Sequence, residues 1–126
     1  TWDFSFSGVK TAVLRTVEGL QAEGRPLPIP ELAASFQAAV VDVLVDKTLM
    51  AAEEYQVSEI IVAGGVSANK RLREKMLAES SWPVHIPPLS LCTDNAVMIA
   101  GAGYYHYARE DFSPLDFDVR PTWPLS

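Results

Sequence analysis

The chain has 126 residues, ten Lys plus Arg against sixteen Asp plus Glu, a formal net charge of −6, and 48% hydrophobic side chains. That composition describes one globular domain that buries roughly two thirds of its unfolded surface and needs no staple; its acidity excludes a nucleic-acid-binding surface over the whole chain. A single cysteine, Cys92, excludes an intrachain disulfide framework and fits a reducing compartment, and no apolar stretch approaches the length of a membrane span.

Residues Asp3 to Gly8 alternate polar and aromatic side chains. A helix is predicted from Lys10 to Glu23, because Val9, Val13, Val17 and Leu20 recur at helical spacing and Gly24 ends the pattern. Arg25 to Pro30 carries three prolines and reads as extended or turn-like. A long helix follows from Glu31 to Tyr55. Its predicted stripe runs through Leu32, Phe36, Val40, Val43, Leu44, Lys47 and Met50, with Glu31 at the positive end of the dipole. Glu59 to Ala63 is β-branched and continuous, the signature of a short buried strand. Gly64-Gly65 breaks it, and Ser67 is the expected N-cap of a helix reaching Glu79. Pro83 to Ile86 predicts a second strand, stopped by Pro87-Pro88. Thr93 or Asp94 is expected to cap a helix to Arg109, with Ala96, Ile99, Ala100, Gly103, Tyr104 and Tyr107 on one face. From Asp111 to Ser126, Pro114, Pro121 and Pro124 predict an irregular wrapping tail.

The expected fold class is therefore α/β, helix-rich, with a short parallel strand-helix-strand unit over 59–86 whose crossover is right-handed. Residues 1–126 are expected to form a single domain. Two strands are too few for a parallel sheet covered on both faces. Either strands from elsewhere complete the sheet, or the unit is helix-dominated with a remnant sheet. The start at Thr1, without methionine, leads to the expectation of a piece of a longer protein.

Three stretches carry candidate chemistry. In Ile60 to Asn69 a strand runs into Gly64 and Gly65 and then into a helix start, which lets backbone approach an anion or polar ligand edge. The stretch lacks the third glycine of a dinucleotide loop and the Gly-Lys-Ser/Thr of a P-loop, so a tight turn needing glycine for positive φ is the alternative. Asp94, after a proline-rich loop, is either a helix cap or a carboxylate metal ligand. Lys70, Arg71, Arg73 and Lys75 form either a solvated helix face or a phosphate-binding run. His85 and His106, 21 positions apart, make no metal pair and read as packing or surface residues. Cys92 reads as a small buried hydrophobe.

Taken together, Asp3 to Val13, Val62 to Arg73, Cys92 to Ala100 and Arg120 to Leu125 resemble, in order, one family. It is the family of tRNA N6-adenosine threonylcarbamoyltransferases, earlier described as O-sialoglycoprotein endopeptidases. The resemblance implies a two-lobed actin-like ATPase (ribonuclease H-like) fold, of which this chain is the C-terminal portion, mostly the second lobe. It implies transfer of a threonylcarbamoyl group from threonylcarbamoyl-adenylate to N6 of the adenosine beside the tRNA anticodon. It also implies one divalent metal, Fe²⁺ or Zn²⁺, held by two histidines of the first lobe and by Asp94. Asn69 matches a substrate-binding asparagine, and Gly64 and Gly65 match the turn against the adenosine. The implied partners are tRNA, the adenylate and accessory proteins that include a paralogous actin-fold subunit; the expected location is the cytoplasm, with no membrane. The family's His-x-x-x-His helix has no counterpart here, so the isolated chain is expected to be inactive. Two other readings compete. One is a non-catalytic actin-fold module that binds nucleotide or partners, whose members as a rule lack the aspartate matched by Asp94. The other is the older metalloendopeptidase description, for which no His-Glu-x-x-His motif exists.

Overall fold

The computed structural model describes residues 2–118, which divide into two compact units on either side of the Cys92–Thr93 bond. In the first unit, helix α1 spans Ser7–Ala22 and helix α2 spans Ile29–Glu54. Helix α1 starts at Ser7, three residues before the predicted Lys10, and its N-cap residue, Phe6, offers no capping side chain and hence no sequence signal. Its stripe of Val9, Val13, Val17 and Leu20 is half-buried. Pro30 lies in the first turn of α2, where a missing N–H is harmless and the fixed φ is already helical. The aromatic N-terminal segment is tied to α2 by Lys47, whose Nζ donates to the Asp3 carbonyl and stands 5.1 Å from the Phe4 ring centroid.

Strand β1 is Ile60–Ile61, followed by a 3₁₀ turn over Gly65–Ala68 and helix α3, Lys70–Glu79. Strand β2, Val84–His85, pairs with β1 in parallel, Ile60 opposite Val84 and Ile61 opposite His85. A second 3₁₀ turn, Leu89–Leu91, closes the unit. The described residues thus show the helix-rich α/β arrangement with a remnant two-stranded parallel sheet. The strands are shorter than predicted and covered on one side: Ile60 is buried, while Ile61 is 71% exposed. A ladder two residues long can shield only one face.

The core lies where α2 meets α3. Val41, Val45, Leu72 and Met76 are buried together, with Leu44, Leu49, Val62 and Val84 packed around them. This corrects the predicted stripe of α2, since Phe36, Val43 and Met50 are exposed and Val41, Val45 and Ala52 are buried. Helix α2 is apolar almost all round, so periodicity alone does not select the face that packs.

Both predicted caps also move. Ser67 lies inside the 3₁₀ turn, and Asn69 caps α3, its side chain accepting from the Leu72 N–H. In the second unit helix α4 spans Ala96–Ala108 and is capped by Asn95, which accepts from the Met98 N–H at 3.2 Å, so neither Thr93 nor Asp94 is the cap. Thr-Asp-Asn offers three consecutive capping side chains, and only the one at the helix boundary can reach the third N–H beyond it. No residue of α4 is buried. Beyond it, His106 Nδ1 meets Asp111 Oδ2 at 2.7 Å and Tyr107 packs edge-on against Phe112. Residues 111–118 are irregular as predicted, with Phe112, Leu115 and Phe117 exposed. The rest of the predicted tail, with Pro121, Pro124 and the motif Arg120 to Leu125, lies outside the described residues.

Candidate functional site

The Gly64 turn is a backbone device. Gly64 has φ +88° and ψ 173°, a conformation that side-chain-bearing residues essentially do not adopt. Gly65 does not share that restriction: its φ is not positive, and a Cβ there would meet nothing within 4 Å. The positive φ expected of the pair thus belongs to Gly64 alone, while the space above both glycines is open. Ser67, 1% exposed, braces the turn by donating from Oγ to the Gly64 carbonyl at 2.6 Å while its N–H donates to the same oxygen at 3.0 Å.

Asn69 leaves the turn half-buried. Its Oδ1 accepts from the Leu72 N–H at 3.0 Å, and its Nδ2 donates to Gln37 Oε1 on α2 at 2.9 Å. Asn69 and Gln37 line an open cleft of about 230 Å³ whose other walls, among them Phe36, Val40, Leu44 and Val66, are apolar. Such a cleft accepts a flat apolar group with a polar edge. It contains no nucleophile paired with a base.

The basic run resolves into separate duties. Arg73 points inward, its Nε donating to the Ser67 carbonyl at 2.6 Å and its Nη2 to the Pro87 carbonyl at 2.8 Å and Cys92 Sγ at 2.9 Å. One guanidinium therefore fastens the end of the glycine turn to the loop that follows β2. Lys75 meets Asp42 at 2.6 Å and stands near Asp46 and Glu79. That hydrogen bond holds the Asp42 carboxyl below its ordinary range and the Lys75 ammonium above its own. Lys70 pairs with Glu74 at 3.7 Å. The run is not a continuous phosphate-binding stripe.

Cys92 is buried, as expected of a small hydrophobe, but it is also a polar partner: besides the Arg73 contact, its Sγ lies 3.4 Å from the Pro88 carbonyl. His85 and His106 are surface residues, His85 joined to Glu59 at 2.8 Å. Asp94 lies in the second unit, exposed and free of capping duty. Among the described residues no three of His, Cys, Asp and Glu gather as a metal site, and no helix is long and apolar enough to cross a membrane.

Against this geometry, the model of the tRNA N6-adenosine threonylcarbamoyltransferase family matches residues 2–101. The chain belongs to that family. Proteins named tRNA N6-adenosine threonylcarbamoyltransferase match it from Dehalococcoides mccartyi, at 53% identity over 94% of this chain, and from Moorella thermoacetica, at 47% over 98%. A third, from Halalkalibacterium halodurans, is 45% identical over 99%. The chain spans only 35% to 37% of the length of these relatives.

Of the residues singled out in this threonylcarbamoyltransferase-family sequence, Gly64, Gly65 and Asn69 come together within the first unit, and Asp94 belongs to the second. Gln37 escaped sequence reasoning, which takes Arg73 only as one of a basic run, without its inward role. Arg73 is four positions from Asn69 and three from Met76, which places it on the packed face of α3 rather than the solvated one; that spacing was the available signal. Gln37 is a polar residue in an apolar run, and its partner is 32 positions away.

Proposed function

We propose that this chain is the nucleotide-facing part of a tRNA N6-adenosine threonylcarbamoyltransferase, with the actin-like fold of the family's second lobe, residues 1–126 acting as one piece of a longer enzyme. In the reaction, N6 of the adenosine beside the tRNA anticodon attacks the threonylcarbamoyl carbonyl carbon of threonylcarbamoyl-adenylate. A C–N bond forms, the bond from that carbon to the phosphate oxygen breaks, AMP leaves, and N6 gives up a proton. Gly64 and Gly65 supply the backbone against which the adenosine half rests, and Asn69 supplies a hydrogen bond to it. The observation that carries this reading is that the Asn69 amide and Val66, two residues beyond Gly64 in the same turn, line one small, mostly apolar cleft.

A divalent metal, Fe²⁺ or Zn²⁺, needs three or more protein ligands. The described residues gather no such set; in this reading Asp94 contributes one ligand and the rest of the longer enzyme contributes the others. Its exposed carboxylate, relieved of capping by Asn95, supports that assignment. The partners are tRNA and the accessory proteins of threonylcarbamoylation, a paralogous actin-fold subunit included, and the setting is the cytoplasm. The test is Asp94→Ala in the full-length protein. Modified adenosine in tRNA, measured by mass spectrometry, and bound metal should both fall to background while the melting temperature stays within about 2 °C, as for an exposed residue without structural partners. Modification at the wild-type rate would refute the assignment.

A further inference from the structure

We propose that Gln37 is a positioning residue, which fixes the Asn69 amide so that it meets the ligand as a hydrogen-bond donor. An asparagine amide has two faces that differ only in which atom accepts and which donates. Here both faces are committed. Oδ1 is used by the Leu72 N–H at 3.0 Å, and one Nδ2 proton is used by Gln37 Oε1 at 2.9 Å. Turning the amide over would set Nδ2 against the Leu72 N–H, a fixed donor, and Oδ1 against Gln37 Oε1, so the cap is lost and Gln37 keeps its bond only by turning over as well. Beside a second lone pair on Oδ1, what Asn69 still offers is the second proton on Nδ2. The ligand atom that meets it is therefore an acceptor, such as a ring nitrogen, a hydroxyl or phosphate oxygen, or a carbonyl. A ligand presenting an N–H at that point leaves two donors facing each other, which a half-buried site penalises.

Gln37 is suited to this task because its own platform does not move easily. It lies one turn before Val41 and two before Val45, the two buried residues by which α2 packs on α3, and Lys75 bonds α3 back to Asp42 of the same helix. The Gln37–Asn69 bond thus spans two elements already held at fixed separation. The helix cap alone holds only Oδ1, and the bond to Gln37 adds the second point that stops the amide from swinging.

The inference rests on the nucleotide reading of this cleft, and the experiment separates the two. Calorimetric titration of ATP into the full-length protein is carried out for wild type, Asn69→Ala, Gln37→Met and the double variant, each first shown to melt as wild type. Gln37→Met should weaken ATP binding about 3- to 10-fold, the worth of one neutral hydrogen bond. In the Asn69→Ala background it should change affinity less than about 2-fold, because a residue acting through another has nothing left to act upon. Gln37→Glu, which keeps an acceptor oxygen for Nδ2, should recover most of the loss, and Gln37→Leu serves in place of Gln37→Met if that variant does not fold. Wild-type affinity in Gln37→Met, or an equal loss in both backgrounds, would overturn the positioning role. Wild-type affinity in Asn69→Ala would overturn the nucleotide reading itself, and the role of Gln37 with it.

Discussion

Adjacent glycines in this turn should respond oppositely to the same substitution. Gly64 has φ +88° and ψ 173°, and an alanine held there costs about 1–3 kcal/mol of backbone strain. None of that cost comes from crowding, since a Cβ at Gly64 meets no atom within 4 Å. Gly65 has equally open space and no positive φ. Alanine at Gly65 therefore adds no strain and restricts the unfolded chain, which favours the native state by about 0.4–1 kcal/mol. The two alanine variants should differ by about 1.5–4 kcal/mol in urea unfolding of the full-length protein, with Gly64→Ala below wild type and Gly65→Ala at or above it. Gly65→Val then becomes a clean probe of function. It should fold, yet fail to bind ATP, because its branched side chain occupies the space along which a ligand reaches the backbone. Equal destabilisation by Gly64→Ala and Gly65→Ala would refute the description of the turn. Undiminished ATP binding by Gly65→Val would move the ligand elsewhere.

Arg73→Leu removes charge-assisted bonds to the Ser67 and Pro87 carbonyls and should destabilise the protein by about 2–4 kcal/mol. Amide exchange should rise in the glycine turn and around Pro87 to Cys92 first, and Arg73→Lys should recover little because an ammonium cannot span both carbonyls; uniform exchange across the protein would contradict the clamp. Asp42, whose carboxyl Lys75 holds below its ordinary range, adds stability above its unfolded value of about 3.9 and loses it as pH falls through the lower folded value. Lys75, held above its range, adds stability below about pH 10.4 and loses it as pH rises through its folded value. Melting temperatures of wild type and Asp42→Asn should therefore differ by a constant amount between about pH 5 and 9 and converge in acid. A gap unchanged at pH 2 would show that the pair does not titrate as a unit.

The order of elements and the parallel pairing around α3 were legible because each rests on local pattern: β-branched runs, glycine and proline breaks, and apolar spacing. Positions decided by three-dimensional competition were not. Ser67 and Asn69 are both good helix caps, and the choice fell to Asn69 because the unusual backbone at Gly64 winds Ser67 into a 3₁₀ turn, where its hydroxyl is used on Gly64. Asn95 prevailed over Thr93 and Asp94 in the same way, and in doing so freed Asp94. The packed face of α2 was hidden by an excess of apolar residues, and was set by where Leu72 and Met76 of α3 arrive. In the candidate site, Gly64, Gly65 and Asn69 form a contiguous pattern that sequence displays. The role of Gln37 depends on a contact across 32 positions, which no local spacing encodes, whereas the spacing of Arg73 on α3 marks its inward face but not its partner Pro87, 14 positions away.

Cys92 gives the clamp a natural reporter. Its thiol is 3% exposed and the chain holds no other cysteine, so a thiol-specific reagent reaches it only when the Pro87 to Cys92 loop lifts from the Arg73 guanidinium. The labelling rate of this one atom then measures how often the loop opens, without any substitution to disturb it. A ligand that tightens the glycine turn would be visible, through Arg73, as a slower chemical clock in a loop it never touches.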